Sequence, residues 1–190
     1  MKDSTKWIIK VFVMTFILSI IFNGVSNALL SKINIFIAFL VLIIMIGIGI
    51  FFDMIGMAVA TCEEAPFHAK ASKKHKGARE AIKLIRSKEK VSSICNDVIG
   101  DVSGIVSGSL SAVISVSLAN LLGINSFIIT LIVGGIVASL TVGGKAIGKK
   151  KSIDNCNEIM YFVGGVVHLF APVRANNEVD KKKNKKVDLR

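Results

Sequence analysis

The feature that most constrains this sequence is a set of long apolar stretches with almost no charge. Four of them come near or exceed the roughly 20 residues that a spanning helix needs, at about 7–29, 36–60, 91–122 and 127–144. A fifth, at 160–173, is too short to cross and is expected at the membrane interface or along the bundle. Hydrophobic residues make up 52% of the chain, which excludes a disordered protein. The sequence predicts an all-α integral membrane protein with four transmembrane helices.

The distribution of Lys and Arg predicts the orientation of these helices. Residues 61–90 hold nine Lys and Arg against four acids, and residues 145–190 hold eleven against five. In the two remaining connections, at about 23–35 and 119–126, the only Lys or Arg is Lys32. Because cytoplasmic loops carry the excess of Lys and Arg, we expect a multi-pass protein of the cell membrane with both termini in the cytoplasm.

The first apolar stretch has a second interpretation. Lys2 and Lys6 followed by an apolar run and by Ser26-Asn27-Ala28 also fit a cleavable signal peptide. The run continues almost to Leu30, which favours a retained helix.

The basic segment between the second and third stretches is expected to touch anionic lipid headgroups. Its apolar positions fit a helix over about 66–87 on the bilayer surface: Ala69, Ala78, Ala81, Ile82 and Ile85. Aromatic residues do not interleave with its Lys and Arg, so a nucleic-acid partner is not expected. The tail at 175–190 is predicted to be basic and disordered.

Three acids lie where charge is costly. Apart from Lys10, the formal charges inside the four stretches are Asp53, Asp97 and Asp101. Counted from the cytoplasmic ends at ~1.5 Å per residue, they lie at a similar depth of roughly 9–15 Å. Since no Lys or Arg lies in the same stretches beside them, a bound cation is the expected counter-charge. A protonated, hydrogen-bonded aspartic acid is the alternative.

Other oxygen-bearing residues on the third stretch complete a predicted metal site. Carboxylates, an asparagine carbonyl and hydroxyls suit Mg²⁺, Ca²⁺, Na⁺ or Mn²⁺. The predicted ligands are Asp53, Asn96, Asp97, Asp101 and Ser103.

The rest of the third stretch is expected to divide into two faces. At ~100° per residue, one face is apolar and is predicted to meet lipid: Val98, Ile99, Val102, Ile105, Val106, Leu110 and Val113. Small residues at four-residue spacing form the other face, where the glycines favour close helix packing and the serines favour bonds between helices: Gly100, Gly104, Gly108, Ser103, Ser107, Ser111 and Ser115.

Enzyme chemistry has no recognisable residues here. Cys95 has no Cys or His near it in sequence, and the three histidines, His68, His75 and His168, do not form a zinc pattern. A catalytic triad, a phosphate-binding loop and a dinucleotide fingerprint are likewise missing from the sequence. The prediction is that the chain is not an enzyme.

From about residue 46 to 173 the chain resembles the transmembrane domain of the CNNM/CorC/CorB family of magnesium transport proteins. The resemblance lies in the order of Phe51-Phe52, the run Lys76-Gly77-Ala78-Arg79-Glu80-Ala81-Ile82-Lys83-Leu84-Ile85, Asn96, Gly143-Gly144-Lys145 and Ala171-Pro172. It implies three core helices, a juxtamembrane helix, a homodimer and a cation site open to the cytoplasm. The implied domains are an extra transmembrane helix at 1–30 and the family-like domain at 31–174.

The chain also departs from the family pattern. Gly144 stands where the family has a Glu, and Cys95 replaces the Gly of a Gly-Asn pair. Only about seventeen residues follow Val173, too few for the family's nucleotide-binding CBS modules. Nucleotide regulation is therefore not expected.

The predicted function is transport of a divalent cation, Mg²⁺ first, with Na⁺ as a coupled ion. The alternative is a non-transporting interaction or cation-sensing subunit that works with a separate regulatory protein, which the missing Glu and CBS modules favour. A pore-forming membrane protein is a third option, and it predicts non-selective leakage from vesicles.

Overall fold

A computed structural model describes residues 2–30 and 35–170, without the side chains at 2–4, 22–23 and 25–30. Within this part of the chain every regular element is helical. The helices are α1 (Lys2–Leu30), α2 (Ile35–Thr61), α3 (Ala65–Ser72), α4 (Ala78–Arg86), α5 (Lys88–Ser93), a π-helix (Ile94–Gly100), α6 (Asp101–Leu122), α7 (Ser126–Asp154) and α8 (Cys156–Phe170). The predicted disordered tail at 175–190 lies outside the described residues.

Three helical segments are long and apolar enough to cross a membrane. They are α2, the continuous segment Lys88–Leu122 that joins α5, the π-helix and α6, and α7. The sequence also predicts a crossing by α1; this helix is 29 residues long and packs against α6. The short helix predicted near the C-terminus is present as α8. The all-helical, membrane-compatible class is therefore confirmed, while the fourth crossing stays a prediction.

The last long helix extends farther than its apolar stretch. The sequence predicts a helix ending near Gly144, whereas α7 continues for ten more residues to Asp154. Asn125 caps the start of the helix, because its side chain accepts a hydrogen bond from the Phe127 backbone N–H. Its second half contains Lys145 and Lys149, whose ammonium groups lie close to Asp101 and Asp53.

The membrane-level core is built on the apolar face of α6. Val102, Val106 and Leu110 are buried against α2 and α7, and Val98 of the π-helix is buried as well. The prediction that these side chains face lipid is therefore wrong. Ile105, predicted on the same face, is exposed, as are Asp101 and Gly108. The apolar residues do not all share one environment, because apolar side chains suit a helix contact as well as lipid.

The basic segment after α2 folds into two helices, α3 and α4, rather than one surface helix, and we call this pair the cap. The helix predicted over 66–87 is interrupted between α3 and α4, where Lys74 and Gly77 adopt positive φ values of 58° and 83°. Phe67 of α3 and Ala81, Ile82 and Ile85 of α4 form a core with Met160 of α8 and the end of α2. The apolar side of the segment thus packs on protein, although Ala69 is exposed.

Candidate functional site: a buried carboxylate beside a π-helical turn

The site forms where α2 passes the π-helix. A π-helix has one residue more per hydrogen-bonded ring than an α-helix and often marks a functional position. Asn96 lies in this turn, and its side chain is directed at Gly56 of α2. A Cβ at position 56 would collide with the Asn96 amide, so glycine is what allows this approach.

Asp53 lies one helical turn before Gly56 and is almost completely buried, at 3% exposure. Its carboxylate faces Gly100, the last residue of the π-helix. A Cβ at position 100 would lie 3.7 Å from Asp53 Oδ1. Gly56 is thus required for the close approach of Asn96, whereas Asp53 lies at ordinary contact distance from position 100.

Two oxygen acceptors lie without hydrogen-bond donors, among the described residues, at the contact between α2 and the π-helix, which we call the seam. They are Asp53 Oδ2 and Asn96 Oδ1, and both atoms are buried. A buried acceptor without a donor costs about 1–3 kcal/mol, and more when it is charged. The seam is therefore suited to a group that brings positive charge or protons.

Lysines of α7 bring positive charge to the edge of this seam. Lys149 Nζ lies 3.6 Å from Asp53 Oδ2, close enough for ion pairing but too long for a good hydrogen bond. Lys145 Nζ donates to the Gly100 carbonyl at 3.1 Å and to Asp101 Oδ1 at 3.4 Å. The apolar stretches themselves hold no Lys or Arg beside the acids, but α7 continues past Gly144 and brings both lysines to them. A bound cation is therefore not the only available counter-charge.

The other predicted ligands lie apart from the two acceptors. Asp97 is exposed and accepts a hydrogen bond from Ser93 Oγ at 2.8 Å. Asp101 is exposed and paired with Lys145. Ser103 is buried near Gly49 of α2, but its hydroxyl donates to the Ile99 carbonyl of its own helix at 2.7 Å.

The three predicted acids thus do not form one cluster. No group of three or more His, Cys, Asp or Glu side chains within residues 2–30 and 35–170 is arranged to hold a metal ion. Of the predicted ligands, Asp53 and Asn96 lie between α2 and the π-helix, and Asp101 is linked to the same turn through Lys145, which also contacts Gly100.

The serines predicted to bond between helices bond within their own helix. Ser107 donates to the Ser103 carbonyl, and Ser115 donates to the Ser111 carbonyl. A hydrogen bond to the carbonyl four residues earlier satisfies the serine hydroxyl without a partner on a neighbouring helix. A Cβ at Gly104 or Gly108 would meet no atom within 4 Å, so these glycines are not at a helix contact within one described chain.

Sequence analysis missed the lysine partners, although a signal was present. Lys145 and Lys149 are four residues apart, the spacing that places two side chains on one face of a helix. Taking Lys145 as the cytoplasmic end of the last helix removed both lysines from the site.

Comparisons with protein-family models, with curated proteins and with solved structures give no match. The resemblance to the CNNM/CorC/CorB family therefore stays a prediction. What the seam can bind is inferred from its own atoms.

Proposed function

We propose that this chain is a membrane transporter for a divalent cation, most simply Mg²⁺, which binds between α2 and the π-helix. The observation that carries the proposal is the pair of buried acceptors, Asp53 Oδ2 and Asn96 Oδ1, that lack donors among the described residues. A carboxylate and an amide carbonyl are the hard oxygen ligands that Mg²⁺ takes. Mg²⁺ keeps several of its waters, so two protein oxygens are enough to hold it.

In this proposal Lys149 competes with the transported ion. Its ammonium is about half exposed and is held to Asp53 only by a long ion pair. A flexible lysine can therefore turn toward water when a divalent cation reaches the carboxylate. The ion then meets Asp53 without a second positive charge at 3.6 Å.

Titration of the full chain in nanodiscs with Mg²⁺ tests the site. Losing the carboxylate charge in Asp53→Asn is expected to weaken binding about tenfold or more. Asp97→Asn is the matched control, since Asp97 is exposed and lies outside the seam. Equal affinities for wild type and Asp53→Asn would contradict the proposal.

A second pair of variants tests the competition. Lys149→Met removes the competing charge and is expected to tighten Mg²⁺ binding several-fold, whereas Lys150→Met, at an exposed neighbouring position, is expected to leave it unchanged. Weaker binding in Lys149→Met would assign the lysine a supporting role instead.

The proposed transporter has four crossings, both termini in the cytoplasm, and two copies in the membrane. The exposed side of α6 supports the two copies. Asp101 is 66% exposed there, next to the open positions Gly104 and Gly108. A charged group is costly against lipid, and small residues allow a second helix to approach. Light scattering in detergent is expected to give a dimer mass, and a monomer would contradict this part.

The second candidate function is a cation-sensing or interaction subunit that does not transport. It is favoured by the lysines, which already provide counter-charge to Asp53 and Asp101. Gly144, which stands where the resemblance implies a Glu, also packs against Ile50 of α2 and leaves no room for a larger side chain without a shift. Mg²⁺ flux into proteoliposomes, with and without a Na⁺ gradient, separates the two functions. Binding without flux would support the second.

A further inference from the structure

Two of the three cysteines meet at the cytoplasmic cap. Cys62 follows directly after α2, and Cys156 is the first residue of α8, 94 positions later. Their sulfur atoms are 2.8 Å apart, and the Cys62 thiol donates toward Cys156 Sγ. Neither is in a disulfide. A disulfide S–S bond is about 2.05 Å long, so the sulfurs need to approach by less than about 1 Å.

We propose that Cys62 and Cys156 form a reversible intramolecular disulfide by exchange with a low-molecular-weight peptide disulfide, which reaches the more exposed sulfur, that of Cys156, first. The thiolate of Cys156 attacks one sulfur of the oxidant, forming a mixed disulfide and releasing one thiol. Cys62 then loses its proton to water and attacks Cys156 Sγ, releasing the second thiol. Two protein thiols are oxidised, and one peptide disulfide is reduced to two thiols.

The environment of the two sulfurs sets the order of these steps. Burial, followed by the hydrogen bond to Cys156 and the charge of Cys156, raises the pKa of the Cys62 thiol to about 12. Cys156 is the more exposed of the two and supplies the first thiolate. Once Cys156 is in a mixed disulfide, its charge and its hydrogen bond no longer oppose ionisation of Cys62, so the second step becomes easier.

The new bond ties the end of α2 to the corner between α7 and α8. Asp53 of α2 lies nine positions before Cys62, and Lys149 of α7 lies seven positions before Cys156. The two helices that flank the candidate cation site, α2 and α7, would then be held together at their cytoplasmic ends. The disulfide itself does not depend on the proposed function; only a slowing of Mg²⁺ flux on oxidation rests on it.

Counting free thiols in the full chain tests the proposal. The protein in nanodiscs is treated with oxidised glutathione, denatured in detergent and alkylated with N-ethylmaleimide before intact-mass measurement. We expect three labels before oxidation, one label afterwards, and three again after dithiothreitol. Peptide mapping should place the bond between Cys62 and Cys156.

Three variants act as controls. Cys95→Ser removes the cysteine of the π-helix and is expected to form the bond as the wild type does, leaving no label. Cys62→Ser and Cys156→Ser are expected to form no intramolecular bond. Three labels after oxidation of the wild type, or a stable glutathione adduct without ring closure, would overturn the proposal. Bond formation with unchanged Mg²⁺ binding by Asp53→Asn would leave it standing and contradict only the proposed function.

Discussion

At the scale of single residues, the fate of the three predicted acids depends on what each one meets. Asp53 is buried at a seam between helices, whereas Asp97 and Asp101 are exposed and paired with Ser93 and Lys145. The sequence identifies all three acids because charge in an apolar stretch is easily seen. It does not identify their partners, since those depend on how far α7 extends and on which way α6 turns.

Gly56 offers a test of the contact that defines the seam. A Cβ in Gly56→Ala would collide with the Asn96 side chain, so we expect a loss of about 1–3 kcal/mol in unfolding free energy. Gly47→Ala is the matched control on the same helix, because a Cβ there meets nothing within 4 Å. It is expected to be neutral or to stabilise by up to about 1 kcal/mol. Thermal unfolding in detergent measures both, and equal midpoints would contradict the close approach of Asn96.

At the scale of elements, the basic segment shows what periodicity can and cannot predict. Ala78, Ala81, Ile82 and Ile85 were identified as one apolar face, and they are buried. The break between α3 and α4 was not predicted, since the helix predicted over 66–87 runs through Gly77. The reason for the break is tertiary: Gly77 contacts the backbone of α8 near Gly164 and Gly165.

A comparison of two glycines with positive φ separates backbone conformation from packing. Gly123 ends α6 with φ 67° and has open space around it, so Gly123→Ala should cost only the left-handed conformation, about 1–2 kcal/mol. Gly77→Ala adds a collision with the α8 backbone and should cost clearly more. The measurement is the unfolding midpoint, with proteolysis of the cap as a second readout. Equal losses of unfolding free energy in the two variants would show that the α8 backbone shifts at no energetic cost.

At the scale of the whole molecule, the helical class and the long spans were predictable because runs of apolar residues depend on composition alone. Side-chain orientation was not: Val102 and Val106 of α6 face the core rather than lipid. Apolar side chains fit lipid and a helix contact equally well, so composition does not decide which of the two they meet. The candidate site was therefore half predictable, with Asp53 and Asn96 identified and the lysines missed.

The number of crossings can be measured in cells. In a variant with all three cysteines replaced by Ser, a cysteine is introduced at Ile124 in the α6–α7 connection or at Lys73 in the cap. We expect an impermeant maleimide to label Ile124→Cys from outside, and Lys73→Cys only after permeabilisation. A tag placed before Met1 should behave like Lys73→Cys if α1 crosses. A tag that is accessible from outside would mean three crossings.

The wide turn at Ile94–Gly100 has a consequence for any comparison between this chain and a relative. It holds an additional residue, so deleting one residue there would allow ordinary helical bonding and leave the rest of the rod facing nearly the same way. The same seven residues wound as an ordinary α-helix would instead turn the rod by more than a quarter of a turn. A relative without the wide turn should therefore be aligned with a single gap at this point, because an ungapped alignment would match positions on different sides of that rod.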